Sequence, residues 1–221
     1  MDDSMLQEVF GMSDKPFTVS VSQMREADAF TVRAGTPSKE LMLRAAQGVL
    51  DAMNSLWKHR RTAVVCGSGN NGGDGYALAM LLAERGADAD IVRLSDRLTD
   101  DGAFYLEKCR QLGIGEHSLE HVRLSDYDIV VDCVLGTGFS GEPREPASGA
   151  IRSINAAREE GAYVISVDIN SGMNGDTGEA VLAVKSDLTV SVGFLKTGML
   201  LGRSGELIGR LVNADIGIRL P

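Results

Sequence analysis

A chain of 221 residues, 43% of them hydrophobic and 24% charged, can bury the core of one α/β domain or at most of two small ones. Its net charge of −9 argues against a broad nucleic-acid-binding surface. No apolar run approaches the roughly 18 residues of a membrane span, and the acidic segment 1–15 lacks the basic and then apolar start of a secretory signal. Three widely spread cysteines favour a reduced, cytoplasmic protein. We therefore expect neither a nucleic acid nor a membrane as partner.

The N-terminal part of the chain is predicted to contain an arm and two helices. Residues 1–18 carry no periodicity and are predicted to form a loose arm. Ser22 resembles the N-cap of a first helix that ends at Gly35, and Thr36-Pro37 begins a second, because proline is harmless at a first helical position. Apolar residues at steps of three and four define one buried face of the second helix: Leu41, Met42, Ala45, Ala46, Val49, Leu50, Met53, Leu56 and Trp57.

Strands and helices then alternate along the chain. A strand at 62–67 leads through a glycine-rich loop to a helix at 74–85. The other elements are predicted as strands at 90–94, 129–135, 163–167, 188–192, 210–212 and 216–218 and as helices at 99–112 and 146–160. The segment 116–121, with its histidines and glutamates, lacks an apolar face and is interpreted as a solvated link rather than a metal site. Apolar strands between amphipathic helices indicate a parallel sheet covered on both faces, in one domain over residues 1–221.

The loop after the first of these strands is the most distinctive stretch of the sequence. Residues 64–75 read VVCGSGNNGGDG. A strand, a glycine loop and a helix, in this order, present backbone N–H groups to a phosphate or pyrophosphate. Glycine permits positive φ and close approach of a ligand to the backbone. The spacing Gly67-x-Gly69-x-x-Gly72 is a weak dinucleotide fingerprint by itself, but the dense run 70–75 is more specific and predicts a nucleotide-binding loop.

Polar side chains interrupt two other predicted strands near their carboxyl ends, where parallel sheets bind ligands. Asp132 lies in an apolar run, and an unpaired buried carboxylate costs several kcal/mol, so it needs a cation or strong donors such as loop N–H groups. Asp168 ends another apolar run and is well placed for acid–base chemistry. Asn71, Asp132 and Ser171 offer only oxygen ligands, which suit a hard cation better than zinc.

Several motifs in order carry a family resemblance. They are V-S-x-M-R-E-A-D at 21–28, G-x-G-N-N-G-G-D-G at 67–75, D-x-x-x-G-T-G at 132–138, V-D-I-x-S-G at 167–172, D-T-G at 176–178 and the segments 196–199 and 215–218. On these motifs the chain resembles the NAD(P)H-hydrate epimerases, the family of the YjeF N-terminal domain. The resemblance implies a three-layer α/β/α Rossmann-like sandwich with a mostly parallel central sheet, preceded here by two N-terminal helices. It also implies an isomerase that interconverts the R and S forms of hydrated NADH and NADPH.

The resemblance further implies which residues form the site. Hydrated cofactor would be held by Asn70, Asn71, Gly72, Gly73, Asp74, Gly136, Thr137, Gly138, Phe139, Ser140, Gly141, Glu142 and Asp168. One potassium ion per subunit would be bound by Asn71, Asp132 and Ser171, although the oxygen ligands alone do not select potassium over sodium or magnesium. A homodimer is implied as well. A dehydratase that takes the S form would be a separate chain, since this one ends at Pro221.

We expect Asp168 to be the catalytic residue. It would protonate the leaving hydroxyl group and take the proton back when the hydroxyl adds to the other face. Lys196 is a second candidate as a cation near the ring or the phosphates, with a solvated loop lysine as the other interpretation. Asn170 and Thr197 stand where the family has prolines, which predicts looser backbone in both loops.

Two other functions remain open from the sequence. One is a non-catalytic nucleotide-sensing or dimerising scaffold module of the same fold. The other is an ordinary nicotinamide-dependent dehydrogenase. That reading needs an acidic ribose-binding residue at the end of the second strand, where Asp90 lies too early and Asp96 slightly late.

Overall fold

A computed structural model describes residues 16–221 and shows an α/β protein built on a parallel sheet. The strands are β1 Thr18–Val19, β2 Arg61–Cys66, β3 Asp88–Arg93, β4 Gly115–Ser118, β5 Ile129–Cys133, β6 Tyr163–Val167, β7 Leu188–Val192, β8 Leu195–Lys196 and β9 Arg210–Ala214. The helices are α1 Val21–Arg33, α2 Ser38–Met53, α3 Asn70–Glu84, α4 Asp100–Gln111, α5 Ala147–Glu159 and α6 Ser204–Leu207. None of these helices is both long and apolar enough to cross a bilayer.

The central sheet has seven strands in the order β4-β3-β2-β5-β6-β7-β9, and every neighbouring pair is parallel. After β2 the chain builds outward through β3 and β4, then returns to lay β5 against the other edge of β2. Val64 pairs with Val131 and Cys66 with Cys133 across this boundary. Because the strand order reverses here, the carboxyl ends of β2 and β5 border the crevice where such sheets bind ligands.

Helices cover both faces of the sheet, because successive strand residues point to opposite sides. Val64 packs in a core that contains buried residues of α1, α2, α3 and α4, whereas Val65 packs in a second core with α5. The predicted face of the second helix is buried from Leu41 to Met53. The predicted three-layer architecture with two N-terminal helices is therefore confirmed, and the structure adds that both helices lie on the α3 side.

Several predictions of secondary structure are wrong. The first helix is capped by Ser20 rather than Ser22, in a capping box with Gln23. Leu56 and Trp57 lie beyond the end of α2 in turns, although both still pack against the core. The segment 115–118 forms edge strand β4 rather than a link, and its polar composition suits an edge that discourages further pairing. The segment 216–218 is no strand, because Gly217 has a φ of +80°.

The predicted loose arm lies mostly in residues 1–15, outside the described part of the chain. At its end, Thr18 and Val19 form β1, which pairs in parallel with β8. The Thr197 hydroxyl donates a hydrogen bond of 3.2 Å to the carbonyl of Val19. The threonine hydroxyl thus joins this segment to β1, where the proline of the family would have no hydroxyl; the looser backbone stays a prediction.

Candidate functional site

The glycine-rich segment is helix rather than loop. Helix α3 begins at Asn70, four residues earlier than predicted, and its N-cap Gly69 has an extended backbone and no side chain to cap the helix. The first intrahelical bond runs from Gly73 N to Gly69 O, so the amides of Asn70, Asn71 and Gly72 precede the hydrogen-bonded ladder. A helix N-terminus with free amides attracts anions such as phosphate.

The glycines of this segment serve mainly to let α3 approach the sheet. A Cβ on Gly72 would lie 2.1 Å from the carbonyl oxygen of Gly67, and one on Gly67 would lie 2.0 Å from that of Val134. At Gly75 a Cβ would meet the Cys66 sulfur at 2.7 Å. None of these glycines has a positive φ, so close packing rather than left-handed backbone requires them. At Gly69 a Cβ would meet no atom of the described residues 16–221 within 4 Å, which leaves this position open to a ligand.

Asp132, next to last in β5, has no solvent exposure and is fully hydrogen bonded. Its carboxylate accepts from the Ser166 hydroxyl at 2.9 Å and from the Ser171 amide and hydroxyl at 2.9 and 2.5 Å. The Val134 amide adds a bond of 3.2 Å. Burial raises the pKa of Asp132, and these hydrogen bonds act in the opposite direction. The donors predicted as the alternative to a cation are therefore present, and they tie β5 to the loop after β6.

Asn71 leaves one oxygen without a partner at this junction. Its side-chain amide donates to the carbonyl of Leu135 at 3.1 Å, and Ser171 Oγ lies 3.1 Å from the same carbonyl. Asn71 Oδ1 is buried and has no hydrogen-bond partner among the described residues. An unpartnered buried amide oxygen beside a hydroxyl, a carboxylate and a backbone carbonyl fits a hard cation.

Segment 116–121 shows no comparable donor set. Glu116 is paired with Arg93 and Arg110, and residues 16–221 contain no group of three or more His, Cys, Asp or Glu side chains that could hold a metal ion.

Asp168 follows β6 in a left-handed conformation with a φ of +68°. This conformation costs roughly 1–2 kcal/mol for most L-residues and is tolerated best by Asn and Asp. The Asp168 amide donates to Val190 O at 2.8 Å, and the carboxylate forms an ion pair with Lys196. Its second oxygen, Oδ2, lies 3.5 Å from the amide nitrogen of Thr137. A strained residue whose carboxylate reaches a ligand crevice indicates a functional site.

Lys196 has no solvent exposure, so its interpretation as a solvated loop lysine is wrong. Its ammonium group donates to Val192 O at 2.8 Å and lies 3.3 Å from Ser191 Oγ, in addition to the ion pair with Asp168. The turn between β7 and β8 thus holds this charge. No periodic signal in the sequence marks a lysine that is buried in this way.

Two further carboxyl groups face the Asp168–Lys196 pair. Burial and the nearby Asp168 charge raise the pKa of Asp74, on α3, well above its usual range. Burial and the same charge raise the pKa of Asp28, on α1, to about 6, while the Lys196 charge lowers it. Asp74 was among the predicted site residues, but Asp28 was not, although it ends the motif at 21–28.

The loop after β5 reaches the same place. A Cβ on Gly136 would lie 3.2 Å from Asn71 Cβ and 3.5 Å from Asp168 Oδ2, so this glycine separates the two side chains. Gly138 O accepts from the Arg25 guanidinium at 3.4 Å. The outer predicted residues, Ser140, Gly141 and Glu142, are exposed. The structure thus brings 70–74, 136–138, Asp132, Asp168 and Ser171 together and leaves the outer loop at the rim.

Asn170 lies between Asp168 and Ser171 and is fully buried. Its side-chain amide lies 3.0 Å from each of three oxygens, those of Val184, Ser186 and Leu207, and its carbonyl accepts from Thr189 at 2.7 Å. These side-chain hydrogen bonds join the loop to β7 and to the end of α6, and the looser backbone stays a prediction.

A family model described as YjeF-related protein N-terminus matches residues 38–198. The chain is 35% identical over 202 residues to an NAD(P)H-hydrate epimerase of Limosilactobacillus fermentum, and the match covers 89% of this chain and 95% of that protein. It is 36% identical over 202 residues to a bifunctional NAD(P)H-hydrate repair enzyme of Archaeoglobus fulgidus, covering 90% of this chain but only 41% of that enzyme.

Among solved structures, the yeast protein YNL200c superposes with a TM-score of 0.76 at 20% identity, over 89% of this chain and 87% of the yeast chain. At this identity the similarity shows the fold alone.

Proposed function

The chain belongs to the family of the YjeF-related protein N-terminus, whose model covers residues 38–198, and on this premise we propose that it interconverts the R and S forms of hydrated NADH and NADPH. Two relatives of similar length, from Limosilactobacillus fermentum and Weissella koreensis, are named NAD(P)H-hydrate epimerase. The chain spans about two fifths of the length of its relative from Archaeoglobus fulgidus, which is named a bifunctional repair enzyme. In this proposal the protein is an isomerase of damaged nicotinamide cofactor.

The observation that carries the proposal is that the end of α3 with free amides lies beside a carboxylate at a strand end. Gly136 lies between Asn71, in the first turn of α3, and Asp168, since a Cβ on this glycine would lie 3.2 Å from Asn71 Cβ and 3.5 Å from Asp168 Oδ2. A cofactor with its phosphates on the α3 amides can therefore extend over the loop 136–138 and present its ring to the Asp168 carboxylate. The fully buried Lys196 supports this role, because it holds and orients Asp168.

The chemistry requires proton exchange at the hydroxyl group on the ring carbon next to the ring nitrogen. When the hydroxyl oxygen is protonated, the C–O bond breaks, water leaves, and the nitrogen lone pair forms a C=N bond. Water then adds to the opposite face of the carbon and loses a proton, which restores the hydrate with inverted configuration. Asp168 lies at the strand end where it can exchange these protons.

We include a potassium ion in the proposal, with Asn71, Asp132 and Ser171 as its ligands. The unpartnered Oδ1 of Asn71 supports a cation at this place. Bound there, the ion would supply positive charge next to the anion-binding end of α3. The chain's own residues hold the surrounding loops: Asp132 and Ser171 already join β5 to the loop after β6.

The partners are also proposals. Relatives that are named bifunctional support a dehydratase that works with this protein, and we propose a homodimer as the assembly. The three cysteines, all free and buried, support the proposed cytoplasmic location.

The test uses separated R and S hydrates of NADPH and follows their ratio by chromatography. We expect the protein to bring either pure isomer to the same equilibrium ratio. Asp168→Asn should lose this activity, whereas Asp51→Asn, a surface change on α2, should keep it. An unchanged ratio with intact nucleotide binding would favour the scaffold module instead, and hydride transfer would favour the dehydrogenase.

A further inference from the structure

Helix α1 lies across the mouth of the site and is fixed there from three sides. The Arg25 guanidinium reaches Gly138 O at 3.4 Å, in the loop after β5. Met24 packs against Gly193, where a Cβ would lie 2.8 Å from the Met24 methyl group. Gly193 lies in the turn that also holds Lys196. The Val21 amide donates to Asp176 at 2.7 Å. This helix is therefore a fixed wall of the site.

Asp28 lies one helical turn after Met24 and so shares its face of α1. It is half-buried, and it accepts no hydrogen bond from any of the residues 16–221 that the structure describes. The charges that act on the Asp28 carboxyl group are those of Asp168 and Lys196. The Asp74 carboxyl group on α3 is subject to the same two charges and to that of Asp28. Lys196, whose positive charge acts on both Asp28 and Asp74, forms its ion pair with Asp168.

This arrangement gives the two carboxyl groups different surroundings. Asp168 forms an ion pair with Lys196. Asp28 has no such partner among the described residues, and burial beside a negative charge raises its pKa to about 6. Near that pH Asp28 can therefore give or take a proton, and it does so from helix α1, whereas Asp168 lies in the loop after β6.

Inversion at one carbon uses both faces of the ring. The leaving hydroxyl takes a proton on one face, and the incoming water loses a proton on the other. A single carboxyl group held by Lys196 would have to reach both faces, whereas two groups on separate walls serve one face each. In one turnover the group that donates its proton becomes a carboxylate, and the group that accepts a proton becomes a carboxylic acid. The reverse reaction starts from these exchanged states, so the protons balance without another reagent.

We propose that Asp28 is the second acid–base residue of the site and works on the ring face opposite Asp168. This inference rests on the proposed epimerase function. The proposal gives α1 a catalytic role, because this helix supplies a proton donor, whereas strand ends and the loops after them supply the other groups of the site.

The test compares Asp28→Asn with Glu26→Gln, which removes a charge from the exposed side of the same helix. We expect kcat of Asp28→Asn to fall by about 100-fold or more with little change in KM, as is usual for loss of a general acid–base group. Glu26→Gln should match the wild type. The wild-type rate should decline as pH rises through about 6, and Asp28→Asn should lose this decline.

A second measurement separates a proton-transfer role from a structural one. Asp28→Ala should regain part of its activity when formate is added, because formate can take the place of the missing carboxyl group. The Asp28 proposal is overturned if Asp28→Asn keeps the kcat and pH profile of Glu26→Gln, or if formate restores nothing to folded Asp28→Ala. If the wild type itself does not interconvert the hydrates, the proposed function fails instead.

Discussion

Lys196 and the backbone of Thr137 each lie next to a different carboxylate oxygen of Asp168. The lysine has no solvent exposure and forms an ion pair with one Asp168 oxygen, and the other oxygen lies 3.5 Å from the Thr137 amide nitrogen. A carboxylate fixed in this way loses little rotational freedom when substrate binds. The ion pair therefore has a structural role and a functional role, which substitution can test.

Lys196→Met should weaken both folding and activity. Without the ammonium group Asp168 keeps a largely buried charge with no cation, and breaking such a pair typically costs about 3 kcal/mol or more in the free energy of unfolding. Urea unfolding would measure the loss, and the hydrate assay would show a fall in kcat. Exposed Lys185, changed to Met, provides the matched control and should stay near the wild type. Equal stability of the two variants would contradict the structural role of the pair.

Substitution of two glycines at the start of α3 should have different effects on the stability of the protein. In Gly72→Ala the new Cβ meets backbone at 2.1 Å, so we expect a loss of about 3 kcal/mol in the free energy of unfolding. In Gly69→Ser the Cβ has free space, and serine is a good N-cap, so stability should be kept. The serine hydroxyl would compete with a phosphate for the α3 amides, which should raise KM about tenfold. An unchanged KM in folded Gly69→Ser would show that the substrate phosphates do not bind at this helix end.

The fold could be predicted because its core strands are encoded locally. Segments 163–167 and 188–192 are β-branched, apolar runs, and they form strands with the predicted bounds. The start of α3 could not be predicted, because glycine has low helix propensity. Its first turns are stabilised instead by close packing of Gly72 on Gly67 and of Gly75 on Cys66 at the end of β2, which are tertiary contacts.

The site could be predicted only where polarity conflicts with burial. Asp132 was visible as a carboxylate inside an apolar strand, and Asp168 as one at a strand end. Lys196 gave no such signal, because its burial depends on the turn between β7 and β8 closing over it. Asp28 looked like an ordinary polar residue of a helix, since sequence periodicity does not tell which other element its face meets.

Potassium should stabilise the protein if Asn71 Oδ1 is a ligand. A ligand that binds only the folded state adds about 1.4 kcal/mol at tenfold its dissociation constant. The melting temperature should therefore rise in potassium chloride relative to choline chloride at equal ionic strength. Asn71→Leu should abolish this rise, whereas Asn155→Leu, at a half-buried asparagine on α5, should keep it. The same measurement in sodium chloride tests ion selectivity. If potassium does not raise the melting temperature of the wild type, the proposed potassium site is contradicted.

Asp28→Asn should make the protein more stable above pH 6 while it makes the enzyme slower. The folded-state pKa of about 6 exceeds the ordinary aspartate value of 3.8, so the folded protein binds this proton more tightly than the unfolded chain does. The stability of the wild type should therefore fall as pH rises from about 4 to about 6 and then level off. Asparagine carries no charge at any of these pH values, so the variant should lack this part of the decline.

At pH 7 we expect Asp28→Asn to gain about 1 kcal/mol in the free energy of unfolding, less than the full shift implies because Asp28 is partly solvated. Urea unfolding of wild type, Asp28→Asn and Glu26→Gln at pH 4.5 and pH 7 measures the difference. Glu26→Gln should follow the wild type at both values. If Asp28→Asn is both more stable and less active, α1 carries a carboxyl group that destabilises the fold and serves the reaction. If the free energy of unfolding depends on pH in the same way in all three proteins, the pKa of Asp28 is not raised.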